Sequence, residues 1–397
     1  MRVALLNQYY DPDIAATAQL CSDLGAALAA RGHDVTAIAS ARPYHEGGGW
    51  RAPWSRTEGV RVVRVPSTAR GRSTKRGRAL DYATFVAAAA APLLLARPEV
   101  VVALSTPPLV AALGLLPPRS RLVYWVMDVY PEVAVRLGAI SAGGTMARML
   151  TSLSQTLYAR AEWVVALDDA MARRLTEAGC PAGKLRVIDN WTPSVHGVDT
   201  VSPRGPGPHP LRTALGLEGR MVIGYSGNLG LGHDLDTVLG AVPLVDGVDW
   251  LFIGDGPRRA EVEGLVGRHV RLLPPLPRAS LADGATAMDA SLVTLGAGMA
   301  GLVAPSKLYA ALAAGVPILY VGPDEGRCAE LVRPGADCVG VRIPNGDSAS
   351  LAAAVGRLRD DRAWRCQLGA NARRVFEARF TRQEALAKHV ALVEARA

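Results

Sequence analysis

Short apolar runs alternate with helix-length segments along this whole chain, and the alternation starts afresh once, after a stretch rich in proline and glycine. Residues 3–6, 34–39, 60–65, 100–104, 122–126, 163–167 and 185–188 read as strands, with helices such as 17–31, closed by Gly32, between them. Continuous runs such as Val100-Val101-Val102-Ala103-Leu104 suit parallel strands covered on both faces. Thr192-Pro193, Ser202-Pro203, Gly205-Pro206-Gly207-Pro208 and Pro210 interrupt the rhythm over 192–210. It resumes with strands at 221–225, 250–253, 270–273, 290–293, 316–320 and 338–341, and helices at 235–245, 260–267, 347–359, 361–377 and 381–395. Repeated β–α units imply a doubly wound parallel sheet. Two α/β domains joined by one linker are therefore expected. The division is 1–195, with 378–397 packing back on it, and 196–377. Ligands of such sheets bind outside the carboxyl ends of the strands, so the loops that follow strands are the places to search.

The length of 397 residues is enough for two domains, and 49% apolar residues can fill two cores. The net charge of +8 is concentrated in one place. Arg61, Arg64, Arg70, Arg72, Lys75, Arg76 and Arg78 follow one another with no acid among them, and lead into the apolar segment 79–96. With Asp81 and Pro92 inside it, that segment reads as a buried or surface-lying helix. Basic segments beside apolar helices bind anionic membrane surfaces, so peripheral membrane association through 61–78 and 79–96 is an expectation. No aromatics interleave the basic run, which argues against nucleic acid. The cysteines at 21, 180, 328, 338 and 366 lack metal-ligand spacing and suit a reducing cytosol. The apolar start Met1–Leu6 is too short for a signal peptide. The expected location is cytoplasmic, at most peripheral at the inner face of the cell membrane.

Two segments could carry phosphate chemistry. Gly227-Asn228-Leu229-Gly230-Leu231-Gly232 follows a strand and opens a helix. Glycines let backbone approach an anion, and free N–H groups at a helix start point at it. Ser306, Lys307 and Leu308 begin a second helix after Pro305, offering hydroxyl, ammonium and dipole together. Asp234-Leu235-Asp236 has the form of a metal-binding pair, but Asp234 reads better as a helix cap. Asp128 lies just past an apolar strand, where a carboxylate could orient or deprotonate a hydroxyl, and Glu132 shares its loop. Asp255 and Gly256 follow another strand end and could line a nucleotide pocket.

Eight motifs, in order, resemble those of the family 4 glycosyltransferases of GT-B fold. They are Tyr9-Tyr10-Asp11-Pro12-Asp13; Arg31-Gly32-His33-Asp34-Val35-Thr36; Ser105-Thr106-Pro107-Pro108; Trp125-Val126-Met127-Asp128-Val129-Tyr130-Pro131-Glu132; Asp189-Asn190-Trp191; Tyr225-Ser226-Gly227-Asn228-Leu229-Gly230; Phe252-Ile253-Gly254-Asp255-Gly256-Pro257; and Pro305-Ser306-Lys307-Leu308-Tyr309. The similarity is greatest to the bacterial group that adds amino sugars or deoxysugars to O-antigen, capsule and exopolysaccharide units. The resemblance implies two Rossmann-like domains facing across a cleft. A uridine or guanosine diphosphate sugar would be held by the C-terminal half and a small-molecule or lipid-linked acceptor by the N-terminal half. It further implies transfer with retention of configuration, and no metal or other cofactor. Gly227, Asn228, Gly230, Ser306, Lys307 and Leu308 then serve the donor, with Lys307 stabilising the departing diphosphate. Leu276 and Pro277 lie where relatives pack the base. Tyr10 and Thr17 lie where relatives bring the N-terminal domain close to the donor, and Asp128 and Glu132 serve the acceptor.

The chain departs from the family at two acidic positions, and the family's phosphate-binding Arg and Lys after the glycine loop appear here as Asn228 and His233. The usual ribose-holding Glu is Ala310, and an acidic residue eight positions earlier is Leu302. Two other readings share the fold: a non-hydrolysing sugar-nucleotide 2-epimerase, and a nucleotide-sugar-binding protein without turnover.

Overall fold

The computed structural model describes residues 1–44, 49–68, 70, 75–193, 201–205 and 207–395. Arg72, the side chains of Lys75 and Arg76, and the centre of the predicted linker at 194–200 lie outside the described residues.

The chain forms two compact units. Unit 1 comprises Met1–Gly197, Gly301–Ala304 and Arg382–Ala397, and unit 2 comprises Val198–Ala300 and Pro305–Thr381. The strands of unit 1 are β1 (Arg2–Leu6), β2 (Asp34–Ser40), β3 (Trp54–Thr57), β4 (Val60–Val65), β5 (Val100–Leu104), β6 (Arg121–Trp125), β7 (Trp163–Ala166) and β8 (Leu185–Val187). They form one sheet in the order β3-β4-β2-β1-β5-β6-β7-β8. All pairs are parallel except β3 with β4. The order runs outward both ways from β1 and β5, which makes that pair the switch point. Strand β3 is the element missed in the sequence. Trp-Ser-Arg-Thr is a short edge strand whose one apolar residue, Trp54, is three-quarters exposed, so no apolar run or alternation marks it in the sequence.

The helix Lys75–Ala96 begins inside the basic run. It lies on the sheet through a stripe of Phe85, Ala89 and Leu93, spaced four apart and buried. Leu80, Leu94 and Leu95 are exposed. Of the two readings of this segment, the surface-lying helix is the one observed. Its stretch Gly77–Ala96 is long and apolar enough to cross a membrane by length and composition alone.

The last helix, Arg382–Glu394, packs in unit 1 against the helix Ala16–Ala30. Arg121 donates to the carbonyls of Val393 (2.7 Å) and Ala395, satisfying groups that the helix end leaves open. Glu394 takes Arg31 at 2.7 Å and His33 at 3.0 Å. His389 is inserted beside Trp125, with ring centroids 4.2 Å apart, and Trp125 stacks on Trp191 at 5.5 Å. Burial depresses the His389 imidazole to about 3, so it packs as a neutral ring. The Trp191 indole donates to Asp23 of the first helix at 2.9 Å. Trp191→Ala should therefore cost about 3–5 kcal/mol and lower the melting temperature of unit 1 in calorimetry.

Unit 2 has β9 (Met221–Ser226), β10 (Val248–Ile253), β11 (Val270–Leu273), β12 (Ala290–Thr294), β13 (Ile318–Val321) and β14 (Gly340–Ile343), all parallel, in the order β11-β10-β9-β12-β13-β14. The switch point lies between β9 and β12. Tyr225, Trp250, Phe252, Leu292 and Leu319 are core residues on these strands. The final strand begins two residues later than its apolar run suggests, at Gly340, and Asn371 donates to the Cys338 carbonyl just before it at 2.8 Å.

Candidate functional site

In unit 2 the loop after β9 is shaped by glycines packed backbone against backbone. Gly227 N–H donates to Ile253 O and Leu229 N–H to Asp255 O, both at 2.9 Å. A β-carbon on Gly254 would lie 1.9 Å from Gly227 O, and one on Gly256 2.5 Å from Leu229 O. Gly254 and Gly256 thus hold the glycine loop. Asp255 is exposed, and its carboxylate accepts its neighbour's N–H at 2.8 Å. Gly227 and Leu229 spend their amides on the loop's shape. Gly227 contributes a close approach instead, for its φ of 139° and missing side chain leave room for the Lys307 stem. Gly254→Ala should push this loop out of place and weaken donor binding about tenfold or more, or roughly 1.4 kcal/mol, by titration calorimetry.

Lys307 opens the helix Lys307–Ala313 and folds back under the loop. Its ammonium lies 3.8 Å from the Tyr225 ring centroid, and its Nζ is buried with no hydrogen-bond partner among the described residues. Burial pulls it from the ordinary lysine value down to about 7, against a smaller upward pull from Cys328. A buried cation without a counter-charge is costly. His233 lies close by, held through Nδ1 at 2.8 Å from Thr294 O at the end of β12. Burial and the Lys307 charge lower it to about 3, so it is neutral.

The other donor candidates separate. Asn228 and Ser306 are exposed, and Gly230 is buried against the Asn228 amide. The Leu308 side chain is 1% exposed and belongs to the core, and its N–H donates to Pro305 O. Leu276 packs over Gly284 and Pro277 is exposed, both in the loop after β11. Asp234 caps the helix Leu235–Ala241 through Thr237 N (3.0 Å) and accepts from Asn345, while Asp236 takes Arg258 at 2.6 Å. Each acid of that pair has its own partner.

In unit 1, β6 delivers Asp128 into a loop held from behind by Ser105. The buried Ser105 hydroxyl accepts the N–H groups of Met127 (2.9 Å) and Asp128 (3.0 Å). Burial pushes the Asp128 carboxyl up to about 6 and raises Glu132 as well. Glu132 Oε2 is buried without a partner among the described residues. Carboxyls raised by burial in this way suit work on a hydroxyl group. Thr17 is half-buried in the first turn of the helix Ala16–Ala30. Tyr10 is 3% exposed, hydrogen-bonded to Ser22, and its hydroxyl fills the space beside Gly25. It is a core residue of unit 1.

Residues 17–191 match the model of the glycosyl transferase 4-like domain, and residues 220–361 match glycosyl transferases group 1. The chain belongs to the family 4 glycosyltransferases. This glycosyltransferase is 27% identical to the probable glycosyltransferase WbjE of Pseudomonas aeruginosa, over 73% of each chain. Among solved structures it is similar to sucrose-phosphate synthase from Thermosynechococcus elongatus, with a TM-score of 0.78 at 18% identity over 98% of both chains. It is also similar to Anabaena HepE in complex with UDP-glucose, with a TM-score of 0.71 at 16% identity over 98% of both chains. The fold is GT-B, with two parallel-sheet α/β domains. Ser105, Tyr225, His233 and Gly254 of this glycosyltransferase had no assigned role in the sequence. Ser105 in its Ser-Thr-Pro-Pro run, Tyr225 at the head of the glycine-loop motif, His233 at the family's phosphate-binding lysine position and the Gly-Asp-Gly after β10 each gave a signal that could have found them.

Proposed function

We propose that this glycosyltransferase moves a sugar from a nucleoside-diphosphate donor to a hydroxyl group with retention of configuration, without a metal. The observation that carries the reading is the buried, unpartnered Lys307 ammonium beneath the Gly227 loop. A diphosphate supplies the missing counter-charge, and most strongly when the bond to the sugar breaks and charge gathers on the leaving oxygen. Asn228, Gly230 and Ser306 flank that anion, and the loop at Leu276-Pro277 takes the base. A uridine nucleotide is favoured by the UDP-glucose that HepE binds. In unit 1, Asp128 orients the accepting hydroxyl, with Glu132 beside it. The C1–oxygen bond to the diphosphate breaks, the acceptor oxygen bonds C1 on the same face, and its proton passes to Asp128 or to the leaving diphosphate. The chemistry asked of the protein is placement and charge stabilisation.

The acceptor in this reading is a bacterial glycan precursor, lipid-linked or soluble. The exposed Leu80, two residues from Arg78 at the start of the helix Lys75–Ala96, supports peripheral attachment to an anionic membrane. Incubation with UDP- and GDP-sugars and a panel of glycan acceptors tests the proposal. Acceptor-dependent release of nucleoside diphosphate, with a product of the donor's anomeric configuration, is expected. Interconversion of the donor sugar without release would instead identify an epimerase.

A further inference from the structure

The four residues Gly301–Ala304 leave unit 2 and belong to unit 1. There they lie along the Asp128 loop. Asp128 and Val303 pair as an isolated antiparallel bridge, and Val129 N–H donates to Leu302 O at 2.8 Å. Leu302 is 7% exposed. The position where the family resemblance leads one to expect an acid is instead a buried anchor beside the acceptor-side carboxylate. Gly301 makes the approach possible. Its φ is +72°, and a β-carbon there would lie 2.6 Å from Ala170 O and 2.7 Å from Arg174 Cγ on the helix Asp169–Glu177. Backbone conformation and space both require glycine.

We propose that Gly301 and Leu302 are positioning residues for the transfer reaction, holding the Leu302–Val303 backbone against Asp128–Val129 so that the Asp128 carboxyl keeps its working place. Ser105 fixes the loop from one side through two N–H groups, and the Leu302–Val303 backbone fixes it from another. Chain continuity adds a consequence. Val303 and Lys307 are only four residues apart, so the segment that sets Asp128 runs directly into the donor's phosphate-binding helix. The inference rests on the assignment of Asp128 to the acceptor hydroxyl.

The test is a double-mutant cycle in the full-length chain, with turnover and donor affinity measured separately. Gly301→Ala should lower kcat by about 10- to 100-fold, the scale of an ångström-sized misplacement, with donor Kd within about twofold. Added to Asp128→Asn, it should cost less than about twofold more, because there is no carboxyl left to misplace. Leu302→Ala keeps the backbone and loosens only the anchor. It should show the same pattern more weakly, and it decides the matter if Gly301→Ala does not fold. Wild-type turnover in folded Gly301→Ala and Leu302→Ala, with Asp128→Asn slow, would overturn the positioning role and leave the role of Asp128 standing. Fully additive losses would equally overturn it. Wild-type turnover in Asp128→Asn would remove the assignment on which the inference rests.

Discussion

Lys307→Ala is expected to weaken donor binding more than tenfold, because it deletes a buried ammonium held beneath the glycine loop. The expected signature goes beyond affinity. In the free protein Lys307 titrates near 7, since burial favours its neutral form. A bound diphosphate favours the ammonium and raises that value. Binding therefore takes up a proton around and above neutrality, and affinity should fall as pH rises through 7 and beyond. Calorimetry in buffers of different ionisation heat measures the uptake directly, and Lys307→Ala should abolish it. Stability moves in the opposite direction. The unfolded chain holds this proton up to about 10.4, and the folded chain releases it near 7, so stability rises with pH across that window. Lys307→Met, which keeps the apolar stem and drops the charge, should melt higher than the wild type at pH 7 while binding donor poorly. Unchanged donor affinity in both variants would dismiss the phosphate assignment.

Asp128→Asn is expected to lower kcat by about 10²–10⁴-fold, the usual contribution of a positioned acid or base, with donor affinity nearly unchanged. The substitution leaves the loop in place, since Ser105 grips the backbone N–H groups of residues 127 and 128 rather than the side chain. With the Asp128 carboxyl at about 6, the base form accumulates as pH rises through 6, and kcat/KM should climb over the same range. The variant should lack that limb. A carboxyl raised on folding contributes stability that is fully present below about 3.9 and lost as pH rises through 6. At neutral pH the native Asp128 is therefore a cost, and Asp128→Asn should be at least as stable as the wild type. Wild-type turnover in the variant would assign the hydroxyl chemistry elsewhere.

Both predictions concern residues visible in the sequence, yet the reasons behind them come from the fold. Lys307 stood out as a rare lysine beside a helix start, one of four in the chain. That its ammonium would be packed on Tyr225, eighty-two positions away, was not readable. Asp128 was placed by its strand, while the hydroxyl holding its loop comes from Ser105 after a different strand. Tyr10 shows the reverse case. Adjacent to a strand end it looked like a loop residue, but its hydroxyl meets Ser22 and Gly25 on the following helix. The burial of the Leu308 side chain was likewise unreadable, because the register of the helix Lys307–Ala313 turns it into the core next to an exposed helix start. Strand β3 was invisible since an exposed edge strand need not alternate.

The sequence by itself determined the architecture. The spacing of apolar runs sets strand and helix periods, the proline-rich interruption marks a restart, and a parallel sheet then leaves its loops at the carboxyl ends of the strands. Those are local or near-local consequences of the chain, and they located the loops at 128, 227 and 306. Only the tertiary structure decided what those loops can do. Charge state depends on how much water remains around a group, and residues far apart in sequence remove that water together. Close approach depends on a β-carbon being absent opposite another backbone, as at Gly254 against Gly227 and Gly301 against Ala170. A buried lysine near 7, an aspartate near 6 and an anchor at Leu302 are sums over such distant neighbours.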